Sequence, residues 1–438
     1  MLLAVTVLFV LVNIGISWFG IPTRDLIEAD SLTFQRMATH FLAAGTFAEE
    51  ARQPLYPLVM AGAMRIAGDS GLQLLIVLQV AMLFATGVLA WFIARDWMDR
   101  GAGAVFALVL LNPNAVAVSH WPLADTLHAL LFTVAVWSLL LFGRQGKGWQ
   151  AVLCGVAMGL AALTRPESSL LIYVLPLAIP LVRWSAGGAD IVRRGVPLGI
   201  GALVAALVVA SPWMLHNQRA GHGFAITGGA KASDNLRMHF SYAEAAQTGL
   251  PQNEAFAAIW DREGQVLADA GLGNAAVAEQ RQFLARYYFR GTLETSPSVL
   301  AGLFAKAWVA QFASGGGQSL NLLFGESLDR PDKLMNRPGF FAVFFDRLGT
   351  QPLAAAAVTL ASVGFALVAR LFGLAGFAVL IVRQHWALLL VIVAVLAFKG
   401  LVHVFIGLSR YRLGVEPLLM ILAVLGWQGI WAGIMSRK

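Results

Sequence analysis

The chain is short of charge. Lys, Arg, Asp and Glu make up 13% of its 438 residues, while 58% are hydrophobic. Soluble proteins run at about a quarter charged and about half apolar. Too few charges remain to wet the surface of two or three soluble domains, and a disordered chain needs the opposite balance. Cysteine is nearly absent. Cys154 stands alone, which excludes a disulfide framework and a cysteine-based zinc site; its neighbours Val152, Leu153 and Val156 mark a structural thiol. No block of five or six Lys and Arg occurs, so the net charge of +7 does not read as a nucleic-acid surface. HExxH, Cys/His clusters, a GxxxxGKS/T loop and a GxGxxG after a strand are missing too. A nucleotide-sugar donor on the cytoplasmic side is therefore not expected. What remains is a membrane protein with many spans.

A bilayer crossing takes about 20 mainly apolar residues. Runs of that kind fall near 1–20, 70–94, 102–119, 124–142, 149–164, 168–183, 195–215, 353–382, 386–406 and 415–435. The fold class is thus an all-α polytopic membrane protein with about ten spans, in a range of roughly 9 to 13. The first run lacks a basic start and a small-residue cleavage site, which predicts an uncleaved anchor. With the N-terminus inside, the cytoplasmic connections hold Arg95, Arg100, Arg144, Lys147, Arg183, Arg193, Arg194, Arg383, Arg437 and Lys438. The short loops opposite hold only Arg165, Arg410 and Arg412. That bias places both long polar segments, 21–69 and 216–352, outside the cytoplasm. Against the ten inner cations stand Asp96, Asp99 and Asp190, so the whole +7 surplus lies on the inner side. Three regions follow: an N-terminal transmembrane module, 1–215, with the outer loop 21–69; an outer, mainly helical segment, 216–352; and C-terminal spans, 353–438.

Within 216–352, residues 253–288 read as helix. Residues 299–313, apolar but interrupted by Lys306, read as an interfacial helix that Gly315-Gly316-Gly317 breaks. No internal repeat is visible, which weighs against a transporter built from two related halves.

The first outer loop holds the most suggestive chemistry. Glu28-Ala29-Asp30 leads into Phe34, Met37, Ala38, Phe41, Leu42 and Ala43, an apolar stripe at helical spacing. It predicts an amphipathic helix on the membrane surface. Carboxylates at its start suit the positive end of the helix dipole, and an ionised carboxylate serves as a general base or a metal ligand. From spacing alone, Glu28 and Asp30 could equally cap and solvate the helix.

These residues resemble the GT-C superfamily of polytopic glycosyltransferases, whose first outer loop carries two acidic residues adjacent or one apart. The nearest in look are bacterial enzymes similar to protein O-mannosyltransferases and lipid A aminoarabinose transferases. The resemblance also rests on Ala38 to Phe47 with Arg52 to Pro57, Asn112-Pro113 with Asp125, Leu163-Thr164-Arg165-Pro166-Glu167, and Arg410-Tyr411-Arg412 followed by Pro417. It covers 1–215 and 386–435 and leaves 216–352 unmatched. It implies a GT-C-like fold and an inverting transfer of sugar from a polyprenyl-phosphate donor, undecaprenyl phosphate among them. The acceptor would be a lipid, glycan or protein at the periplasmic face of a bacterial inner membrane.

Under that resemblance Asp30, with Glu28, is the catalytic carboxylate. Arg410 and Arg412 hold the donor phosphate, because guanidinium forks bind phosphate bidentately. Lys399, His403 and Arg410 are expected on one stripe of the ninth span, with Arg370 facing the same cavity. Basic residues inside a span are functional candidates, although snorkelling suits Lys399 and Arg412 and a satisfied bundle histidine suits His403. Arg52, Gln53, Tyr56, Asp125, Arg165 and Glu167 would line the sugar and acceptor pocket. For Asp125 helix capping, and for Arg165 with Glu167 a local ion pair, are the plain alternatives. Magnesium or manganese on Glu28 and Asp30 is left open, as members differ in metal use and two carboxylates are too few to specify a site. A transporter or flippase, and a lipid-linked oligosaccharide ligase or polymerase, are the rival functions. The partners expected are the lipid-linked donor, the acceptor and the bilayer, with no nucleic acid.

Overall fold

The computed structural model describes residues 1–26, 30–47, 52–227, 229–325 and 340–435. Glu28, Arg437 and Lys438 lie outside them. Among the described residues every regular element is a helix. The helices are α1 (Leu2–Phe19), α2 (Asp30–Ala44), α3 (Leu55–Ala67), α4 (Gly71–Trp97), α5 (Ala102–Leu110), α6 (Pro113–Ser119) and α7 (Asp125–Gln145). Next come α8 (Gly148–Ala162), α9 (Ser168–Ile172), α10 (Leu175–Ser185) and α11 (Val196–Arg219). Residues 216–352 hold α12 (Gly229–Thr248), α13 (Gln252–Asp269), α14 (Val277–Leu293), α15 (Pro297–Ala313), α16 (Gly317–Leu322) and α17 (Phe340–Thr350). The chain ends with α18 (Leu353–Val382), α19 (Trp386–His403), a 3-10 segment Ser409–Val415, and α20 (Glu416–Met435).

Seven stretches among the described residues are long and apolar enough to cross a membrane, or eight if the bent pair α5–α6 counts as one. The protein is therefore a multi-pass membrane protein. The two further expected spans are the 15-residue α8 and the pair α9–α10, which breaks just before Pro176. The 102–119 run is also broken, by 49°, because the Asn112 side chain accepts from the backbone N–H of Asn114 and Ala115 and starts a new helix at Pro113. The outer stretch 253–288 is two helices, parted at Gly271 and Gly273. Glycine at Gly271 is left-handed (φ 71°), the usual helix stop.

Helices α7 and α20 form the centre. Their most apolar windows are 67% and 78% buried, against 17% for the peripheral α1. Close approach between neighbours depends on small residues. A Cβ at Gly155 would strike the Ala202 carbonyl, and one at Gly159 would come within 2.7 Å of the Ala206 carbonyl, so α8 and α11 touch backbone to backbone. Outside the bundle, α12, α13 and α14 share the small core Ile259, Leu284 and Tyr288. Arg237 on α12 bonds Glu263 at 2.7 Å and Asp234 at 2.8 Å. This layer joins the bundle through Tyr242, Leu303 and Phe405.

Candidate active site

The α2 helix begins at Asp30 and turns Phe34, Met37 and Ala38 inward. Phe34 meets the ring of Tyr56 edge-on at 4.9 Å, which seats α2 on α3. Arg52 lies 5.9 Å over the Phe34 ring and donates from Nη2 to Asp30 Oδ1. From the far end of the chain Arg410 donates from Nη2 to Asp30 Oδ2 at 2.9 Å. Asp30 is thus held between two guanidinium groups. Side-chain exposures of 26% for Asp30, 25% for Arg52 and 23% for Arg410 keep the trio open to a ligand.

A second, more buried cluster adjoins the first. Arg165, in the tight turn after α8, donates to Asp125 at the start of α7 and lies 3.3 Å from Glu167 Oε2. Lys399 donates to Glu167 Oε1, and His403 Nε2 lies 3.2 Å from Glu167 Oε2. Burial alone would raise the pKa of Glu167, but Arg165, Lys399 and His403 hold it well below the usual carboxylate range. Burial alone would lower the pKa of Arg165, yet Asp125 and Glu167 push it up. Both groups are charged at neutral pH. Tyr411 joins the clusters: its ring stacks on His403 at 4.2 Å and 12°. The guanidinium carbons of Arg165 and Arg410 lie 4.9 and 5.3 Å from the same ring.

Backbone contacts bring these distant segments together. The Leu55 N–H donates to the Leu163 carbonyl at 2.9 Å, tying the start of α3 to the end of α8. The Asn114 side chain donates to the Ser409 carbonyl at 3.0 Å, which fixes the residue before Arg410.

Several expected neighbours sit elsewhere. Arg410 is not on the ninth helix with Lys399 and His403, because α19 ends at His403 and Val404 leaves helical dihedrals (φ 10°, ψ −67°). Lys399 and His403 face Glu167, whereas Arg410 faces Asp30. Arg412 and Arg370 are not brought to Asp30 either. Arg412 is 1% exposed and bonds Glu416 and the Gln311 carbonyl. Arg370 bonds Glu416 at 3.0 Å and the Phe312 carbonyl at 3.1 Å. The two arginines clamp the C-terminal end of α15 to α18 and α20. Tyr56 is fully buried and donates to Gln79 at 2.6 Å, so its hydroxyl serves the core. Gln53 is 5% exposed and its Nε2 has no partner.

Three residues that the sequence reading did not single out stand out in the structure. Ser31, next to Asp30, is 1% exposed with an unpartnered Oγ. Tyr411 is the ring between the two clusters. Glu416 balances a pair of arginines, and its place in an apolar run is the signal that could have found it.

Among the described residues no group of three or more His, Cys, Asp or Glu is placed to hold a metal ion. Among the described residues the donor set at Asp30 does not suit a divalent cation, because both of its oxygens already accept from guanidinium groups. An anion fits better. Among the described residues of the two clusters Arg52, Arg165, Arg410 and Lys399 face Asp30, Asp125 and Glu167, one positive charge in excess when His403 is neutral. Guanidinium groups bind phosphate through paired, charge-assisted hydrogen bonds.

The fold and site define a polytopic membrane protein with a cluster of charged side chains among loops that the sequence assigns to one side. Residues 51–216 match the family model of dolichyl-phosphate-mannose-protein mannosyltransferase, which supports the resemblance to GT-C glycosyltransferases. ArnT from Cupriavidus metallidurans in the apo state is similar at 17% identity, covering 96% of this chain and 76% of that one, with a TM-score of 0.38. The same protein bound to undecaprenyl phosphate is similar at 17% identity, covering 97% and 77%, with a TM-score of 0.40. Likenesses of that degree carry no argument about this chain. No curated protein matches it.

Proposed function

We propose that this protein is an integral membrane glycosyltransferase that moves a sugar from a polyprenyl-phosphate carrier to an acceptor hydroxyl. Its site faces outward, into the periplasm of a bacterial cell. The observation that carries this reading is the Asp30 carboxylate gripped by Arg52 and Arg410, a trio with one positive charge in excess, beside a cluster in which Arg165 and Lys399 balance Asp125 and Glu167. The family match over 51–216, which includes Arg52, Asp125, Arg165 and Glu167, supports it.

The chemistry is a displacement at the anomeric carbon. The acceptor oxygen forms its bond to that carbon as the bond to the carrier phosphate oxygen breaks, with inversion. The electron pair leaves on the phosphate, whose charge Arg410 and Arg52 stabilise. The acceptor proton passes to Asp30. Arrival of the phosphate draws the two arginines off Asp30, so the carboxylate is released to the acceptor when the donor is in place. Ser31 and Gln53, buried with unpartnered polar atoms beside Asp30 and Arg52, supply hydrogen bonds to the sugar.

The test is the Asp30→Asn variant expressed in cells lacking the wild-type gene, with the envelope compared by mass spectrometry. Wild-type protein restores a component heavier by one sugar. The variant, inserted at the same level, is expected to lower that component by about a hundredfold or more, the usual range for loss of a general base. An undiminished component would remove Asp30 from the reaction.

A further inference from the structure

Glu167 meets three cationic or titratable partners. Lys399 takes Oε1, while Arg165 at 3.3 Å and His403 at 3.2 Å share Oε2. All of this is at least nine-tenths buried except Arg165, whose side chain is 15% exposed. Such a cluster is a poor account of stability, because desolvating Glu and Lys offsets most of their attraction and an apolar pair of similar size often does as well. Its geometry leads outward instead. The His403 ring lies parallel to Tyr411, and Arg165 lies over the same ring, so two Glu167 partners contact Tyr411. Tyr411 in turn carries Arg410, whose guanidinium reaches Asp30. The Glu167 carboxylate itself does not touch the Asp30 trio.

We propose that Glu167 is a positioning residue: through His403 and Arg165 it fixes the Tyr411 ring, and through that ring it aims Arg410 at the phosphate of a polyprenyl-phosphate donor. The inference rests on the proposed function for the identity of the anion but not for the positioning itself. It assigns the buried Lys399 a role as well. Lys399 keeps Glu167 ionised and in place and does not meet the donor.

The experiment uses the full-length protein in detergent micelles, wild type beside the double variant Glu167→Gln with Lys399→Met. The double variant removes both charges together and keeps the volume, so it avoids an orphaned buried charge. Three quantities are measured: melting temperature, hydrogen exchange of the amides at 409–413, and affinity for undecaprenyl phosphate. The expected result is an unchanged melting temperature, exchange at 409–413 faster by about tenfold, and affinity weaker by about tenfold. A tenfold loss is what one misaimed charge-assisted hydrogen bond gives up. A purely structural ion pair predicts that the neutral replacement restores all three. Wild-type exchange at 409–413 in the double variant overturns the proposal. Should that variant fail to fold, Glu167→Asp keeps every charge and draws the carboxylate back by one methylene; faster exchange at 409–413 is again expected, and wild-type exchange again overturns it. If wild type does not bind undecaprenyl phosphate, the function proposed above fails, while the exchange measurement still decides the positioning.

Discussion

At the scale of single residues, the costliest groups are charges that leave water, and each has a named partner. Glu416 is 1% exposed and balances both Arg370 and Arg412. Replacing it with Ala leaves the buried Arg412 and the half-buried Arg370 without their shared carboxylate. We expect a loss of about 3–5 kcal/mol, the usual cost of breaking a buried pair from one side, read as reduced resistance to denaturant in micelles. A loss below about 1 kcal/mol would mean that water already reaches the pair. The sequence named individual residues better than their company. Asp30 and Arg410 were legible from their motifs, yet their contact was not, because nothing local in a sequence reports a pair so far apart. Arg412 shows the converse. Two positions from Arg410 in a motif, it serves a different carboxylate, because the 3-10 segment turns the two side chains to different neighbours.

At the scale of elements, apolar runs made the long helices legible, since a single continuous segment can satisfy its own backbone inside lipid as a helix. The breaks were less legible. Asn112-Pro113 was visible as a dipeptide, but whether it kinks a span or divides one depends on the cap that Asn112 makes to Asn114 and Ala115. The early end of α19 left no sequence mark at all, for Val404 to Leu408 are as apolar as the helix before them. Gly155 and Gly159 test the contact between α8 and α11. Gly159→Leu must push Ala206 and Val209 away, so we expect a destabilisation of about 1–3 kcal/mol, the range for overpacking. A Cβ at Gly201 on α11 meets no atom within 4 Å, so Gly201→Leu serves as the control. Equal melting temperatures for the two variants would show that α8 and α11 are not in close contact.

At the scale of the molecule, the distribution of charge assigned each loop to a side, and the described loops that form the candidate site are all ones it assigned to the same side. Residues 216–352 stayed opaque because their charges cancel and their helices carry no motif. Its tie to the bundle offers a pH test. His239 on α12 packs against Phe405, and burial, with the like charge of His403, lowers its pKa from 6.5 to about 4. The folded state therefore disfavours the proton, and the stability this histidine contributes is complete above pH 6.5 and lost as the pH falls toward 4. Melting temperature should drop across that window in wild type and drop less in His239→Phe; equal slopes would remove His239 as the cause. The Asp30–Arg410 contact also bears on how the protein is made. It spans 380 positions, so during synthesis Asp30 and Arg52 are both in place long before the second arginine exists. Until Arg410 leaves the ribosome, Arg52 alone can hold the carboxylate, and the trio is completed only after most of the helices described above have been made.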